Sequence, residues 1–357
     1  MNNKNEYKIE ISTKTIVFSI LIIIGFFLAW ELRIVFFIFF IAYIINATFR
    51  PAVDFLEKKR IPRVLSTILI FIVSFSIIAL LLLTITTEAY NQLNNLFNQL
   101  PNIVFNVLTS INKSLPITSL IDAKAIQNNL KDIVSVLTKL DFSVYTNGIS
   151  SAVGILSAAA TFSIFVGMIS VLSIYMLLRK DDAAARFLIF IDKKNEEMYL
   201  DVFKKIELKL GRWLRAQVLI MFSAGFLVWF GLSLPVLFIP SYTLNTYALP
   251  IALLVLIIEL IPGFGIATGS VLTTIIALAS GNIILVLFVL ILFVIIQQIE
   301  GMLIVPKMMN KAIDLDPMVT ILGFVGGSML FGIIGAVLII PILATLKILF
   351  TEYINRK

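Results

Sequence analysis

Two stretches of this chain place side chains able to hold a proton, a cation or a polar solute inside otherwise apolar sequence. The first is Gln297-Gln298-Ile299-Glu300-Gly301-Met302-Leu303-Ile304-Val305-Pro306-Lys307, which closes an apolar run beginning at Ile283. Glu300 precedes Lys307 by seven residues, roughly 10 Å along a helix. With Lys307 at the water boundary, Glu300 falls inside the hydrocarbon. An ionisable group there costs at least about 2.5 kcal/mol unless a partner, a proton or a water-filled cavity relieves it. Gln297 and Glu300 are spaced i, i+3 and share a helix face, with Gly301 beside them. Such a face can hold a solute, bind an ion or pack against another helix. The second stretch is Glu259, three residues before Pro262-Gly263-Phe264-Gly265. It sits where two short apolar arms meet.

The elements that must position these groups are membrane spans. Of 357 residues, 60% are hydrophobic and only 14% charged, too apolar for a soluble domain. Several runs approach or exceed the ~20 residues that cross a bilayer. The net charge of +7 is no nucleic-acid footprint, because the basic residues gather in two loops rather than on one patch. The chain contains neither cysteine nor histidine. Intramembrane zinc proteases need a His-Glu-x-x-His pair and rhomboid-type serine proteases a histidine base, so an intramembrane enzyme is not expected.

Residues 1–87 read as the N-terminal membrane helices. Thr15–Trp30 has the length of a signal-peptide core but lacks a small-residue cleavage site. With Ile34–Thr48 it predicts a retained hairpin of two short spans. Arg50, Lys58, Lys59, Arg60 and Arg63 mark the following loop as cytoplasmic, and with it the N-terminus. A third span covers Val64–Thr87. Residues 88–148 form the longest hydrophilic excursion. Leu93, Leu96, Phe97, Leu100, Val104, Val107, Leu108 and Ile111 predict an external amphipathic helix kinked at Pro101, and Ile126, Leu130, Ile133, Val134 and Leu137 a second. Residues 149–213 give a fourth span, Ile149–Leu178, then a segment to Arg215 with ten basic residues counted from Arg179, again cytoplasmic. Met198, Val202, Ile206, Leu210 and Trp213 oppose Lys204, Lys205 and Lys209, which predicts an interfacial helix on anionic lipid.

Residues 214–357 hold the core. After a fifth span, Leu214–Leu234, and an outer turn, Ala248–Ile261 and Ile266–Ser280 flank the Pro262–Gly265 turn. Neither arm is long enough for a full span and the tip carries no anchoring charge. The pair, near 248–280, therefore predicts a hairpin that turns back within the membrane. Irregular backbone at that depth survives only when buried in protein or lining a cavity. The last block, 318–346, contains Gly323, Gly326, Gly327, Gly332 and Gly335. A break near Gly332 makes a second hairpin of opposite direction and returns the C-terminus to the cytoplasm. Its glycines suit close helix packing; no Lys-Ser/Thr follows them as a phosphate loop requires. No cofactor or metal is expected. The fold class predicted is thus all-α: a polytopic transmembrane bundle with two re-entrant hairpins and an external amphipathic segment.

Four motifs in order resemble the AI-2E transporter family, whose name refers to export of autoinducer-2. Gly211-Arg212-Trp213-Leu214-Arg215-Ala216-Gln217 is similar to its Gly-x-x-Leu-Arg-Gly-Gln segment, and Ile261-Pro262-Gly263-Phe264-Gly265 to its Ile-Pro-x-x-Gly turn. Gln297-Gln298-Ile299-Glu300-Gly301, with Val305-Pro306 and Asp316-Pro317, matches its most recognisable stretch. The glycine block through Phe331-Gly332-Ile333-Ile334-Gly335-Ala336 and Pro341 also fits. Ala216 and Gly263 depart from the residues usual in the family. The resemblance implies a multi-spanning transporter of the cytoplasmic membrane, a homo-oligomer with a pentamer the expected form. It implies export of a small polar solute of the autoinducer-2 type, or Na⁺(Li⁺)/H⁺ antiport.

Under solute export, Pro262, Gly263, Gly265 and Gly332 expose peptide groups while Gln297, Gln298, Glu300 and Gly301 line the path. Under antiport, Glu259 and Glu300 exchange a cation for a proton. Both readings expect these acids to face a protein-lined aqueous pocket. A scaffold without substrate, using the external helices for contact, is the third reading. Gly211, Leu214, Arg215, Gln217, Pro306, Asp316 and Pro317 are assigned structural work, Asp316 as a helix cap.

Overall fold

The computed structural model describes residues 13–84, 149–179, 196–237, 244–279, 282–309 and 315–354, with Phe105 and Asn128. The external segment 88–148 otherwise lies outside them. Every described element is helical: α1 (Thr13–Glu31), α2 (Arg33–Lys58), α3 (Arg63–Thr84), α4 (Ile149–Leu178), α5 (Glu196–Ser233), α6 (Asn245–Ile258), α7 (Phe264–Ala279), α8 (Ile283–Ile299), α9 (Val305–Met309) and α10 (Pro317–Ile354). Among the described residues, five stretches are long and apolar enough to cross a membrane: Arg33–Lys58, Arg63–Leu81, Glu197–Val236, Ile283–Met309 and Met318–Glu352. This is an all-α membrane bundle.

The organising element is α5. Val202, Ile206, Leu210, Trp213, Ala216, Ile220, Ala224, Val228 and Leu232 recur every three or four residues, and all are buried. One face is therefore apolar for the whole 38-residue helix, about 57 Å. This corrects the reading of 198–213 as a separate interfacial helix. The stripe does not stop at Trp213, so nothing ends the helix there. Its first half packs on protein, namely Tyr43 and Ile44 of α2 and Leu338 of α10, rather than on lipid. Its second half packs on α6, α7 and α8 through Leu244, Ile251, Val255, Ile266, Val289 and Phe293.

The expected α1–α2 hairpin is also corrected. Leu32 has φ −82° and ψ 5°, and the bonds Leu32 N–H to Leu28 O (2.9 Å) and Phe36 N–H to Leu32 O (3.2 Å) carry the i→i−4 ladder through it. One near-helical residue cannot reverse a chain, so α1 continues into α2 and the N-terminus is no longer tied to the inner side by that pair.

Helix α2 docks on α5 where Pro51 interrupts its ladder. Proline has no N–H, which leaves the Ala47 carbonyl without its helical donor. Arg215 supplies one, its Nη1 lying 3.2 Å from Ala47 O and 2.8 Å from Thr48 O. Gly211, one turn earlier, faces the same carbonyl, and a Cβ there would collide with it. Arg50 pairs with Glu207 at 2.8 Å on the same interface. We expect Arg215→Ala to cost about 2 kcal/mol, since a buried carbonyl loses a charged donor. In a Pro51→Ala background, where residue 51 can donate, the cost should fall by half or more. Equal costs in both backgrounds, read by denaturant unfolding, would show that Arg215 does not serve the proline break. Arg63 ties α2, α3 and α4 together, donating to Leu177 O (2.6 Å), Asp54 (2.8 Å) and Glu57 (2.8 Å).

Both expected turns in the C-terminal core are real chain reversals. Helices α6 and α7 pack against each other across residues 259–263. In α10, Gly332 adopts φ 60°, ψ −142°, a region open to glycine. Along a straight helix residues 323 and 343 would be ~30 Å apart; here a Cβ on Gly323 would lie 2.5 Å from Leu343 Cδ1. The arms 317–331 and 333–354 therefore lie side by side, and Gly327 and Gly335 let their backbones touch.

Candidate functional site

The two acids meet at the tip of the α6–α7 hairpin. Helix α6 ends by tightening: Glu259 N–H still reaches Val255 O at 2.8 Å, then Leu260 and Ile261 bond three residues back. Gly263, at φ 81°, turns the chain. The Glu259 carboxylate then folds back over the start of α7, where Oε1 accepts from Gly263 N–H at 2.6 Å and Oε2 from Ile266 N–H at 3.2 Å. One acid thus closes α6 and caps α7, its charge set against the positive end of that helix. Gly265 is required by the same approach. A Cβ there would stand 2.5 Å from Val255 O and 2.6 Å from Glu259 Oε2.

Glu300 arrives from α8. The buried residues of that helix, Val286, Val289, Phe293 and Ile296, repeat every three or four positions, and Glu300 is the next member of the series. Beyond it the helix becomes a π-turn, Glu300–Ile304. Pro306 explains the turn, because its ring would strike the Met302 carbonyl in a regular α-helix. The extra residue also shifts the register. An unbroken stripe would bring Lys307 inward, whereas here Lys307 is exposed and Met308 and Met309 pack on the α5 core.

Gln217, on α5, completes the cluster. Its Nε2 donates to the Glu259 carbonyl at 2.6 Å, satisfying the last carbonyl of α6. Gln217 and Glu259 are fully buried and Glu300 is 5% exposed. The carboxyls of Glu259 and Glu300 lie close enough to interact directly. Two acceptors in the cluster, Glu300 Oε1 and Gln217 Oε1, are buried with no donor among the described residues, and the indole N–H of Trp213, one turn along α5, is buried with no acceptor among them. The cluster can hold a proton or a small cation between carboxylate and amide oxygens, the oxygen ligands that hard cations prefer. The acids were expected to line an aqueous pocket. Instead they are closed against each other, because the tip that interrupts the backbone also folds Glu259 inward onto the N–H groups it frees.

The other residues singled out from the sequence are placed differently. Gln297 and Gln298 are exposed, so the face expected to unite Gln297 with Glu300 does not form. The buried stripe runs through Ile296 and Glu300, which turns Gln297 outward. Gly301 is exposed with open space around it, while Pro262, Gly263 and Gly332 are exposed at the two tips. Phe264 packs at a tilt against Phe324 of the second hairpin, ring centroids 5.2 Å apart. Asp316 Oδ1 accepts from Met318 N–H (2.8 Å) and Val319 N–H (3.3 Å), capping α10. Gln217 was given a structural role only, and the structure brings it into the site. The available signal was its burial on the α5 stripe beside Trp213. The π-turn was missed, although Pro306 inside a helical run announced a broken ladder.

A multi-pass helical bundle with backbone breaks and buried acids defines the class of polytopic membrane transport proteins. The chain belongs to the AI-2E family of transporters, whose family model matches residues 16–355. A Bacillus subtilis (strain 168) protein named "Putative transport protein YueF" is 27% identical over 330 residues, 90% of this chain and 84% of its own length. "Putative permease PerM" of Escherichia coli (strain K12) is 25% identical over 292 residues, 79% of this chain and 77% of its own.

Proposed function

We propose that the chain is a cation/proton-coupled secondary transporter in which Glu259, Glu300 and Gln217 form the ion-binding site. One observation carries this reading: a carboxyl pair from two chain breaks, buried together beside acceptor oxygens that lack donors. Such a pair can release its proton to a Na⁺ or Li⁺ ion and regain it when the ion leaves. Trp213 Nε1 extends the row of unpartnered polar atoms along α5 toward its basic half, a direction suited to an inward route. The α6 and α7 arms, of 14 and 16 residues, cover only about 21–24 Å, less than the ~30 Å hydrocarbon layer. The hairpin therefore suits a re-entrant position. Leu315 and Lys347 share a cavity wall with the basic half of α5, which favours a second re-entrant hairpin entering from the cytoplasmic side. The C-terminus then lies on the cytoplasmic side of the membrane. The outward-facing Gln297 and Gln298 suit cover by another copy, in a homo-oligomer such as a pentamer.

Export of a small polar solute of the autoinducer-2 type is the second reading, supported by the family match and by the exposed tips at Pro262–Gly263 and Gly332. There the acid pair would couple proton movement to the solute. Proteoliposomes of the purified protein loaded with a pH dye test the first reading. Imposed Na⁺ or Li⁺ gradients should drive a pH change, and Glu300→Gln should remove at least about nine-tenths of it, as the loss of one of two exchanging groups requires. Undiminished exchange in Glu300→Gln would sink the proposal. Sugar efflux without cation or proton movement would support uncoupled export instead.

A further inference from the structure

Away from the acid pair, the basic half of α5 and the returning arm of α10 enclose a cavity of about 290 Å³. From α5 come Lys205, Lys209 and Arg212, spaced i, i+4, i+7 on one face, with Leu208 between them. From α10 comes Lys347, beside the apolar Ala344 and Ile348. Among the described lining residues one acid, Glu352, stands with four cations, and it is bonded to Lys205, which also pairs with Asp201 at 2.9 Å. Lys209 and Arg212 carry no ion pair among the described residues. Position adds to charge. Arg212 lies two residues before the apolar span of α5, and Lys347 closes the apolar block of α10, so the cavity stands at the border between apolar and polar surface. Leu208 at 55% and Leu349 at 46% exposed continue apolar surface beside it.

We propose that this cavity binds the phosphodiester headgroup of an anionic phospholipid, with Lys209 and Arg212 on the phosphate and the first acyl carbons on Leu208 and Ile348. A guanidinium and an ammonium one turn apart suit a phosphate, and basic pockets between membrane helices on the cytoplasmic side are a recognised form of headgroup site. The apolar wall and the border position favour a lipid over a free anion, which would gain nothing from Leu208 and Ile348.

The test uses the delipidated full-length protein in detergent, titrated with phosphatidylglycerol or phosphatidylcholine and read by native mass spectrometry. Phosphatidylglycerol should bind more tightly, and Lys209→Gln with Arg212→Gln should weaken it about fivefold for each charge removed. The pair Lys58→Gln with Lys59→Gln, on the distant α2 end, should leave it unchanged. Glu352→Gln should strengthen it, so a reading of opposite sign survives if the double variant fails to fold. Glycerol 1-phosphate at the same concentration should not compete. Equal binding of the two lipids, an unaltered double variant, or weakening by Glu352→Gln would overturn the proposal. Full competition by glycerol 1-phosphate would assign the cavity to a soluble phosphate and overturn the lipid assignment.

Discussion

Glu259→Ala is expected to destabilise the protein by about 3 kcal/mol, while Glu300→Leu leaves stability within about 1 kcal/mol of the parent and still ends transport. The asymmetry follows from what each carboxyl holds. Glu259 accepts the Gly263 and Ile266 N–H groups at 2.6 and 3.2 Å, and alanine would leave those donors of a buried helix start unmet, at ~1.5–3 kcal/mol for a bond to a charged group. Among the described residues Glu300 interacts with Glu259 and buries an oxygen with no donor, so an apolar replacement of similar volume removes a cost as well as a contact. Glu259→Gln should fall between, since its amide oxygen can still accept one N–H. Denaturant unfolding in detergent measures stability and the pH-dye assay measures exchange. Equal destabilisation by the two substitutions would mean that Glu259 does not latch the α6–α7 tip.

Gly335→Val should open the second hairpin, costing at least about 3 kcal/mol and removing most of the monodisperse protein. A Cβ at Gly335 would run into the backbone of Gly327, which cannot swing aside as a side chain can. Overpacking of even flexible sites costs ~1–3 kcal/mol. Gly326, next to Gly327 in the facing arm, provides the control. Nothing lies within 4 Å of a Cβ there, and Gly326→Ala should be neutral or stabilising by up to ~1 kcal/mol through helix propensity. Size-exclusion profiles and thermal unfolding of the two variants separate these outcomes. A folded, stable Gly335→Val protein would show that the arms are not held in backbone contact.

Much of this architecture was legible because apolar length and backbone-breaking residues are local signals. A helix runs from Ile149 to Leu178, the bounds that hydropathy gave the fourth apolar run, and the Gly332 reversal follows from glycine spacing and arm length. Failures occurred where partners decide. The stripe from Val202 to Trp213 reads the same whether it meets lipid or Tyr43 and Leu338, and periodicity cannot tell which. The α1–α2 junction looked like a turn because Glu31 and Arg33 are charged, yet Leu32 between them keeps helical geometry. At the site, Glu259 and Glu300 were found by the cost of an acid in hydrocarbon. Their proximity was not, since it depends on how a hairpin tip packs against a helix 41 residues further along the chain (300 − 259). Gln297 was misplaced because i, i+3 spacing fixes relative direction and leaves open which way a helix is rotated.

Gly211 and Arg215, which fasten α5 to the proline break of α2, and Gln217, which grips the Glu259 carbonyl, all lie within two turns of one helix. Between fastening and grip there is no flexible connection, only about 9 Å of rigid rod. A rotation of α5 about its own axis would therefore carry both attachments together, so the seat of the N-terminal helices and the position of the buried amide share one lever.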